Sequence, residues 1–525
     1  MINKLKHIIG QIFINKYEKL FIKKRSKSSD KDLPIKNLLV QMPEEYFYLI
    51  SFNSIISSLK KKYYLNINWI NISTNYQKKG LSKIIKHFNF YGIKWRKLYL
   101  FNHGKVGLNF DIGIFSYIFY YVEGYKIFKN LKSKNDVINI KLGNLIVGDL
   151  IYDTYLRYQS KPTINIKDKF LLKIIISSIY IYNKSNIFLK SNSIDYLFTS
   201  YAAYSHHGIV ARLALIYNVK VISLGSYENL FNYIRQDFPY HLKNFNNYKT
   251  EIDNIELKLK LKLKEKARNL LQSRINGIID LALPYMNKSP FLNYKIDSNF
   301  FIQNNKPRIV IWVHDFFDSP HVRGWLLFED YYEWLLFILN SADTKMNDYF
   351  IKVHPNSSDL NLNVIKSLLK KFEKIRLIPK NISTKQIVDE RIDLVITNHG
   401  TVAHELPLLK VPVLCSGNNP HISFSFSHTA KSKEEFFKII RNPSLMPSLK
   451  KSSEIEDEIY NFYLIHYLYN EKYYLSEKNK LFISYLRSIE NKNDFKEFVK
   501  KLDTNDFKFQ FNEIFNVKNF EFYHE

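Results

Sequence analysis

Short, nearly all-apolar runs alternate with amphipathic stretches along most of this chain. In the first half, NLLVQMP (37–43) reads as a buried strand, SFNSIISSLKKKY (51–63) as a helix and LNINWINI (65–72) as the next strand, a βαβ start. The rhythm returns in IDYLFTSYAAYSHHGIVARLALIYNVKVISLG (194–225). There Tyr196–Phe198 predicts a strand, His206-His207-Gly208 a polar loop, Ile209–Ile216 a helix and Val219–Leu224 a strand. Residues 255–276 alternate Leu and Lys at first, but the absence of Gly and Pro and the later spacing predict a helix. From Arg308 the alternation is regular. Strands are predicted at 308–314, 348–355, 375–379 and 393–397, with helices at 328–342, 364–374 and 384–391 between them. Strands apolar on both faces, separated by helices, imply a parallel sheet covered on both sides. The pattern predicts a basic N-terminal segment (1–30), an α/β domain (31–290), a linker (291–307), a second α/β domain (308–450) and a Tyr- and Phe-rich helical tail (451–525).

Composition narrows this picture. The chain has 525 residues, 46% of them apolar, enough for more than one core. Its single cysteine, Cys415, excludes an internal disulfide and any structural zinc site built on two or more cysteines. A formal charge of +28 favours anionic partners, although AT-rich codons favour the Ile, Asn, Lys, Tyr and Phe in which the chain is rich. No arginine-rich or aromatic nucleic-acid module is recognisable, so no nucleic acid is expected as partner. The stretches IFSYIFYYV (114–122) and FLLKIIISSIYIY (170–182) are too short or interrupted to span a bilayer. The first residues do not read as a signal peptide. Leu5, Ile8, Ile9, Ile12, Phe13, Leu20 and Phe21 fall at helical spacing with Lys opposite, so residues 1–27 read either as a basic helix on anionic lipid or as an ordinary amphipathic helix.

Chemistry is expected where loops leave the carboxyl ends of parallel strands. Three such loops are polar and rich in His: His314 to His321, Lys352 to Asn356, and the start of DLVITNHGTVAHELPLLKVPVLCSG (393–417). In the last, Gly400 is expected to permit a sharp turn, Thr401 to cap a helix, and the helix N–H groups to attract phosphate. Glu405, one turn along, could accept hydrogen bonds from ribose hydroxyls, and Pro407 makes the helix short or bent. These parts suit a nucleotide ester; His399 and His404 could each also be structural. GKVGLNFDIG (104–113) matches no phosphate-loop pattern and reads as a turn, and Asp149 reads as a helix cap before it reads as a base.

KVHP followed by ITNHGTVAHELPLLKVPVL resembles the donor half of bacterial capsule and surface-polysaccharide glycosyltransferases of the GT-B, Kdo- or sialic-acid-transferase-like kind. HDFFDSPHVRGWLLFEDYYEWL (314–335), GNLIVGDLIYDTYLRY (143–158) and SHHGIVARLA (205–214) are similar to segments of the same family. The resemblance implies two Rossmann-like domains facing across a cleft, with a nucleotide-sugar donor on the second and a glycan or lipid-linked glycan acceptor on the first. It implies that Lys352 and His354 neutralise donor phosphate, that His399, Gly400 and Thr401 hold it, that Glu405 binds ribose, and that His314 and Asn398 belong to the same binding set. Related CMP-sugar transferases tend to carry Ser or Thr where Asn398 and His399 stand, which leaves the donor base and sugar open. Transfer is expected without metal or cofactor, with fixed cations stabilising the leaving phosphate. A base for the acceptor hydroxyl would come from Asp111, His206, His207, Asp318 or His321, with Asp149 and Asp153 as further carboxylates. The expected function is glycosyl transfer in the cytoplasm, peripheral to the inner membrane face. The alternatives are a glycerol- or ribitol-phosphate polymer transferase using a CDP donor and a non-catalytic basic membrane or nucleic-acid adaptor.

Overall fold

Two six-stranded sheets organise the computed structural model, which describes residues 13–26, 30–72, 90–101, 104–225, 230–279, 289–292, 300–301, 304–354, 357–469, 477–516 and 518. The first sheet comprises β1 (Ile35–Gln41), β2 (Tyr64–Asn71), β3 (Lys105–Asn109), β4 (Tyr196–Thr199), β5 (Lys220–Ser223) and β6 (Asn232–Ile234). The second comprises β7 (Arg308–Val313), β8 (Asp348–Val353), β9 (Arg376–Leu377), β10 (Leu394–Ile396), β11 (Val413–Ser416) and β12 (His428–Ala430). The orders are β3-β2-β1-β4-β5-β6 and β9-β8-β7-β10-β11-β12, the doubly wound order twice over. All neighbours pair in parallel except β6, which runs antiparallel to β5. Both domains are therefore Rossmann-like, and helices dominate the C-terminal region.

The all-apolar strands of the second sheet follow from burial on both faces. Ile309, Ile311 and Val313 of β7 pack with Tyr349, Ile351 and Val353 of β8 under the helices Tyr331–Ser341, Asp359–Leu369 and Lys433–Arg441. Val310, Phe350, Val395, Val413 and Cys415 point the other way, into a layer with Ile387, Val402 and Leu406. Burial pushes the Cys415 thiol up to about 12, so this lone cysteine acts as a small apolar side chain.

Three sequence expectations change here. Residues 105–109, read as part of a turn, form β3, because Val106 and Leu108 pair into the sheet edge beside β2. The helix after β4 is Ser205–Ile216, so His206 and His207 sit in its first turn instead of a loop. The chain also divides elsewhere than at 291–307. One compact unit holds 1–158, 165–242 and 475–525, and the other 159–164 and 243–474. The helix Leu257–Ile275 joins the second unit, where Arg274 pairs with Glu405 and Arg268 lies over the Tyr460 ring. The tail divides too. Ser452–Tyr463 and the π-turn Leu464–Leu468 stay with the second unit, whereas Glu477–Arg487, Lys492–Lys501 and Asn505–Ile514 complete the first.

The N-terminal helix Lys16–Arg25 opens on a capping box between Asn15 and Glu18. Its Phe21 and Ile22 are buried, with Phe21 packed on the Phe495 and Phe498 rings, and Glu18 binds Lys94 and the Tyr46 hydroxyl in the interior. In this part of the segment, read either as a lipid-binding or as an ordinary amphipathic helix, Phe21 and Ile22 thus face their own domain, whereas Phe13 and Leu20 are exposed. Residues 1–12 and 27–29 lie outside the described residues. Among the described residues no helix is long and apolar enough to cross a membrane.

Candidate functional site

In a doubly wound sheet the crevice opens where the strand order reverses, beyond the carboxyl ends of the first and fourth strands. In the second sheet these are β7 and β10. Their loops begin with His314 and with Thr397-Asn398-His399-Gly400-Thr401, and a cavity of about 670 Å³ opens beside them, within the usual range for a small-molecule site. Of the expected binding residues, His314, Lys352, His354, Gly400, Thr401 and Glu405 line it. All belong to the second unit.

Glu405 and Arg274 form a buried ion pair, each side chain 1% exposed, in which Arg274 Nε donates to Glu405 Oε1 (2.7 Å) and Nη2 lies 2.6 Å from the same oxygen. Glu405 Oε2 is buried with no hydrogen-bond partner among the described residues. A carboxylate oxygen left unsatisfied on a residue that lines a cavity can accept a hydrogen bond from a ligand that reaches it.

Lys352 departs from its expected role. Its side chain leaves β8 on the same face as its register partner Trp312, and Nζ donates to the carbonyls of Pro379 (2.9 Å), Lys380 (3.2 Å) and Ile382 (2.7 Å). All three ammonium donors are used, so Lys352 shapes the loop that walls the cavity instead of meeting phosphate directly. Burial lowers its pKa to about 8. The wall continues through Ser383, which caps the helix Thr384–Asp389 in a capping box with Gln386, and Thr384 N–H donates to the Pro290 carbonyl.

His314 Nε2 accepts the His399 amide (3.4 Å) and lies 3.1 Å from Thr397 Oγ1, which assigns the proton to Nδ1. Among the described residues Nδ1 has no hydrogen-bond partner, and His314 lines the cavity. The His399 ring stacks on His314 at 3.8 Å and reaches the Tyr331 hydroxyl, fixing the His314 ring from behind. Desolvation, then Arg323 and His354, push His314 down to about 3. Desolvation, reinforced by Arg274 and Lys352, lowers His354 as well. The expected cationic phosphate clamp is therefore built largely of neutral donors.

The one-turn helix Val402–Glu405 runs into the 3₁₀ turn Pro407–Leu409, as Pro407 foretold. Thr401 makes no side-chain cap and Gly400 needs no left-handed backbone. A Cβ on Gly400 would stand 3.0 Å from Thr397 Oγ1 and 3.6 Å from His314 Cε1, so its small size serves close packing of the two loops. Asn398 does not line the cavity: it is buried, accepts the Ser416 hydroxyl (2.7 Å) and ties the β10 loop to β11. His404 is buried too, 3.0 Å from His421.

The expected bases are dispersed. Asp318 is exposed and His321 buried in the turn Pro320–Arg323, both away from the cavity lining. Asp111 follows β3 in the first unit. Asp149 is bound by Arg212 and the Tyr240 hydroxyl, and Asp153 is buried beneath them on the same helix, a structural cluster. His206 lies 3.3 Å from the Tyr158 hydroxyl, and burial pushes it down to about 3. His207 sits at the first sheet's own switch point, between β1 and β4, its Nδ1 2.8 Å from Gln41 Oε1 and 3.2 Å from the Ser200 hydroxyl.

Sequence reasoning missed Arg323, Trp312 and the 379–384 wall. Arg323 has a buried Nε without a hydrogen-bond partner among the described residues, and its charge depresses His314, His399, His421 and His466. Its presence in SPHVRG was visible, but that no carboxylate among the described residues pairs with it was not.

No family model and no curated protein matches the sequence. Solved structures are similar at a distance. KpsC, the beta Kdo 2,4 transferase of Thermosulfurimonas dismutans, shares 12% identity over 50% of this chain and 77% of its own, with a TM-score of 0.31. UDP-GlcNAc 2-epimerase of Methanocaldococcus jannaschii, solved with UDP-GlcNAc and UDP, shares 11% over 89% and 99%, with a TM-score of 0.24. The Neisseria meningitidis UDP-GlcNAc 2-epimerase shares 13% over 83% and 97%, with a TM-score of 0.22. Likenesses this distant leave the fold assignment resting on the strand orders.

Proposed function

We propose that this protein is a glycosyltransferase that moves a sugar from a nucleotide-activated donor to a surface-polysaccharide or lipid-linked glycan acceptor. The observation that carries the reading is the cavity at the second switch point, whose lining includes Glu405, with no hydrogen-bond partner for Oε2 among the described residues, and His314, with its proton on Nδ1, so that an acceptor and a donor belong to one lining. A nucleotide needs both: an acceptor for ribose hydroxyls and N–H donors for phosphate oxygens. Leu292, Trp312, Ile382 and Val402 give the cavity apolar wall on which a base can lie.

In this reading the His314 Nδ1–H, the Thr401 hydroxyl and the His354 ring, all from residues that line the cavity, hold the donor phosphate. Breaking the sugar–phosphate bond concentrates negative charge on the phosphate, and fixed donors in a site with restricted water stabilise that charge without reorganising. The neutral His pair can also take up a proton as charge builds, since a neighbouring dianion raises a histidine pKa.

A calorimetric screen of CMP, CDP, UDP and GDP tests the reading. One nucleotide should bind, and His354→Ala and Thr401→Ala should each weaken it about 10- to 100-fold, the worth of a hydrogen bond to a charged group. Binding of none of the four, or undiminished binding by both variants, would remove the assignment and favour an adaptor.

A further inference from the structure

The helix Ile114–Asn130 presents an unusual outer face. Ile114, Phe115, Ile118, Phe119 and Val122 are 72, 87, 63, 75 and 61% exposed. At 3.6 residues per turn all five fall on one side, and Tyr121 and Tyr125 stack along its margin. The helix is not exposed for want of a partner. Its other side docks on the helix Lys169–Ser191, with Tyr120 edge-on to Tyr180 and Gly124 packed so closely that a Cβ there would stand 2.5 Å from Ile176 Cγ1. The domain thus holds the helix by one face and leaves a contiguous apolar stripe in water, a costly arrangement for a monomer without a surface to meet.

We propose that this stripe is a membrane-docking surface for an anionic bilayer. Charge favours lipid as the occupant. Lys126 and Lys129 continue the same side of the helix beyond Val122, Lys132 follows its end, all three are exposed, and Glu123 is the only acid in the helix. An interfacial helix combines such an apolar face with basic residues that reach lipid phosphates. Two phenylalanines one turn apart on a helix about 25 Å long suit shallow insertion parallel to the surface, not a span. The helix follows β3 after four residues, at the edge of the first sheet from which the β1 and β4 loops also emerge. Docking would bring lipid to that edge, whichever reaction the protein performs, so the proposal stands apart from the activity proposed above.

Flotation of the full-length protein with vesicles tests it. Wild type should bind phosphatidylcholine vesicles containing about one-third phosphatidylglycerol and bind pure phosphatidylcholine more weakly. The double variant Phe115→Ser/Phe119→Ser should lower partitioning about 100-fold on anionic vesicles. Lys126→Gln/Lys129→Gln should lower it about tenfold on anionic vesicles and leave pure phosphatidylcholine unaffected. Because all four side chains are exposed, both variants should melt like wild type. Failure of wild type to float, or wild-type flotation of the Phe pair variant, would overturn the proposal. A lipid-independent dimer that the Phe pair variant converts to monomer would equally overturn it, assigning the stripe to a second copy.

Discussion

Glu405 holds two positions at once: it pairs with Arg274 through Oε1, and it lines the cavity with Oε2 left without a hydrogen-bond partner among the described residues. This changes what a substitution there measures. Glu405→Gln leaves a buried guanidinium without its counter-charge, and urea denaturation should report a loss of about 3–5 kcal/mol. Glu405→Gln combined with Arg274→Met should recover much of that stability without recovering nucleotide affinity. A stable double variant that still binds nucleotide would remove Glu405 from the site. Glu405 was legible as a candidate from its spacing after Gly400. Its partner, 131 residues away, was not, because local periodicity carries no information about which distant charge fills the same low-dielectric space.

A strand and a loop are joined by Lys352. The β8 strand was legible from its apolar alternation, but its Lys gave the appearance of a phosphate ligand when it is the anchor of the 379–382 loop. Unfolded lysine keeps its proton to about pH 10.4, whereas folded Lys352 gives it up at about 8. Between those values unfolding takes up a proton, so this residue makes the protein more stable as pH rises from 8. Lys352→Met should flatten that part of the stability–pH curve relative to wild type. It should also weaken nucleotide binding by loosening the cavity wall. An unchanged pH profile would show that the buried ammonium is not the group that titrates.

For the whole molecule, the C-terminal residues matter out of proportion to their place in the chain. Phe495 and Phe498 are fully buried against Phe21, and Phe495 stacks on Tyr46 at 4.6 Å. Removing residues 475–525 should therefore unfold or precipitate the first domain, since each lost aromatic contact set costs about 3–5 kcal/mol. The second domain keeps its own sheet and cavity residues, so nucleotide binding in calorimetry should survive where the fragment stays in solution. Hydrogen exchange should show loss of protection confined to 13–158 and 165–242. Uniform loss across both units would contradict the division.

Local order on the chain did not determine the strands β3, β6 and β12. It determined the central strands of both sheets, their burial on both faces, the polar loops at one sheet edge and the short helix broken by Pro407. Each of these follows from side-chain spacing and backbone chemistry within a few residues. Tertiary structure alone decided the rest. It set the doubly wound strand orders and returned residues 477–516 to the first domain. It paired Arg274 with Glu405, left Arg323 beside neutral histidines and turned Phe115 and Phe119 outward instead of Tyr120 and Gly124. Those outcomes depend on desolvation and on which surfaces meet. Neither is a property of a residue or its neighbours in sequence; both exist only once distant segments share a boundary that excludes water.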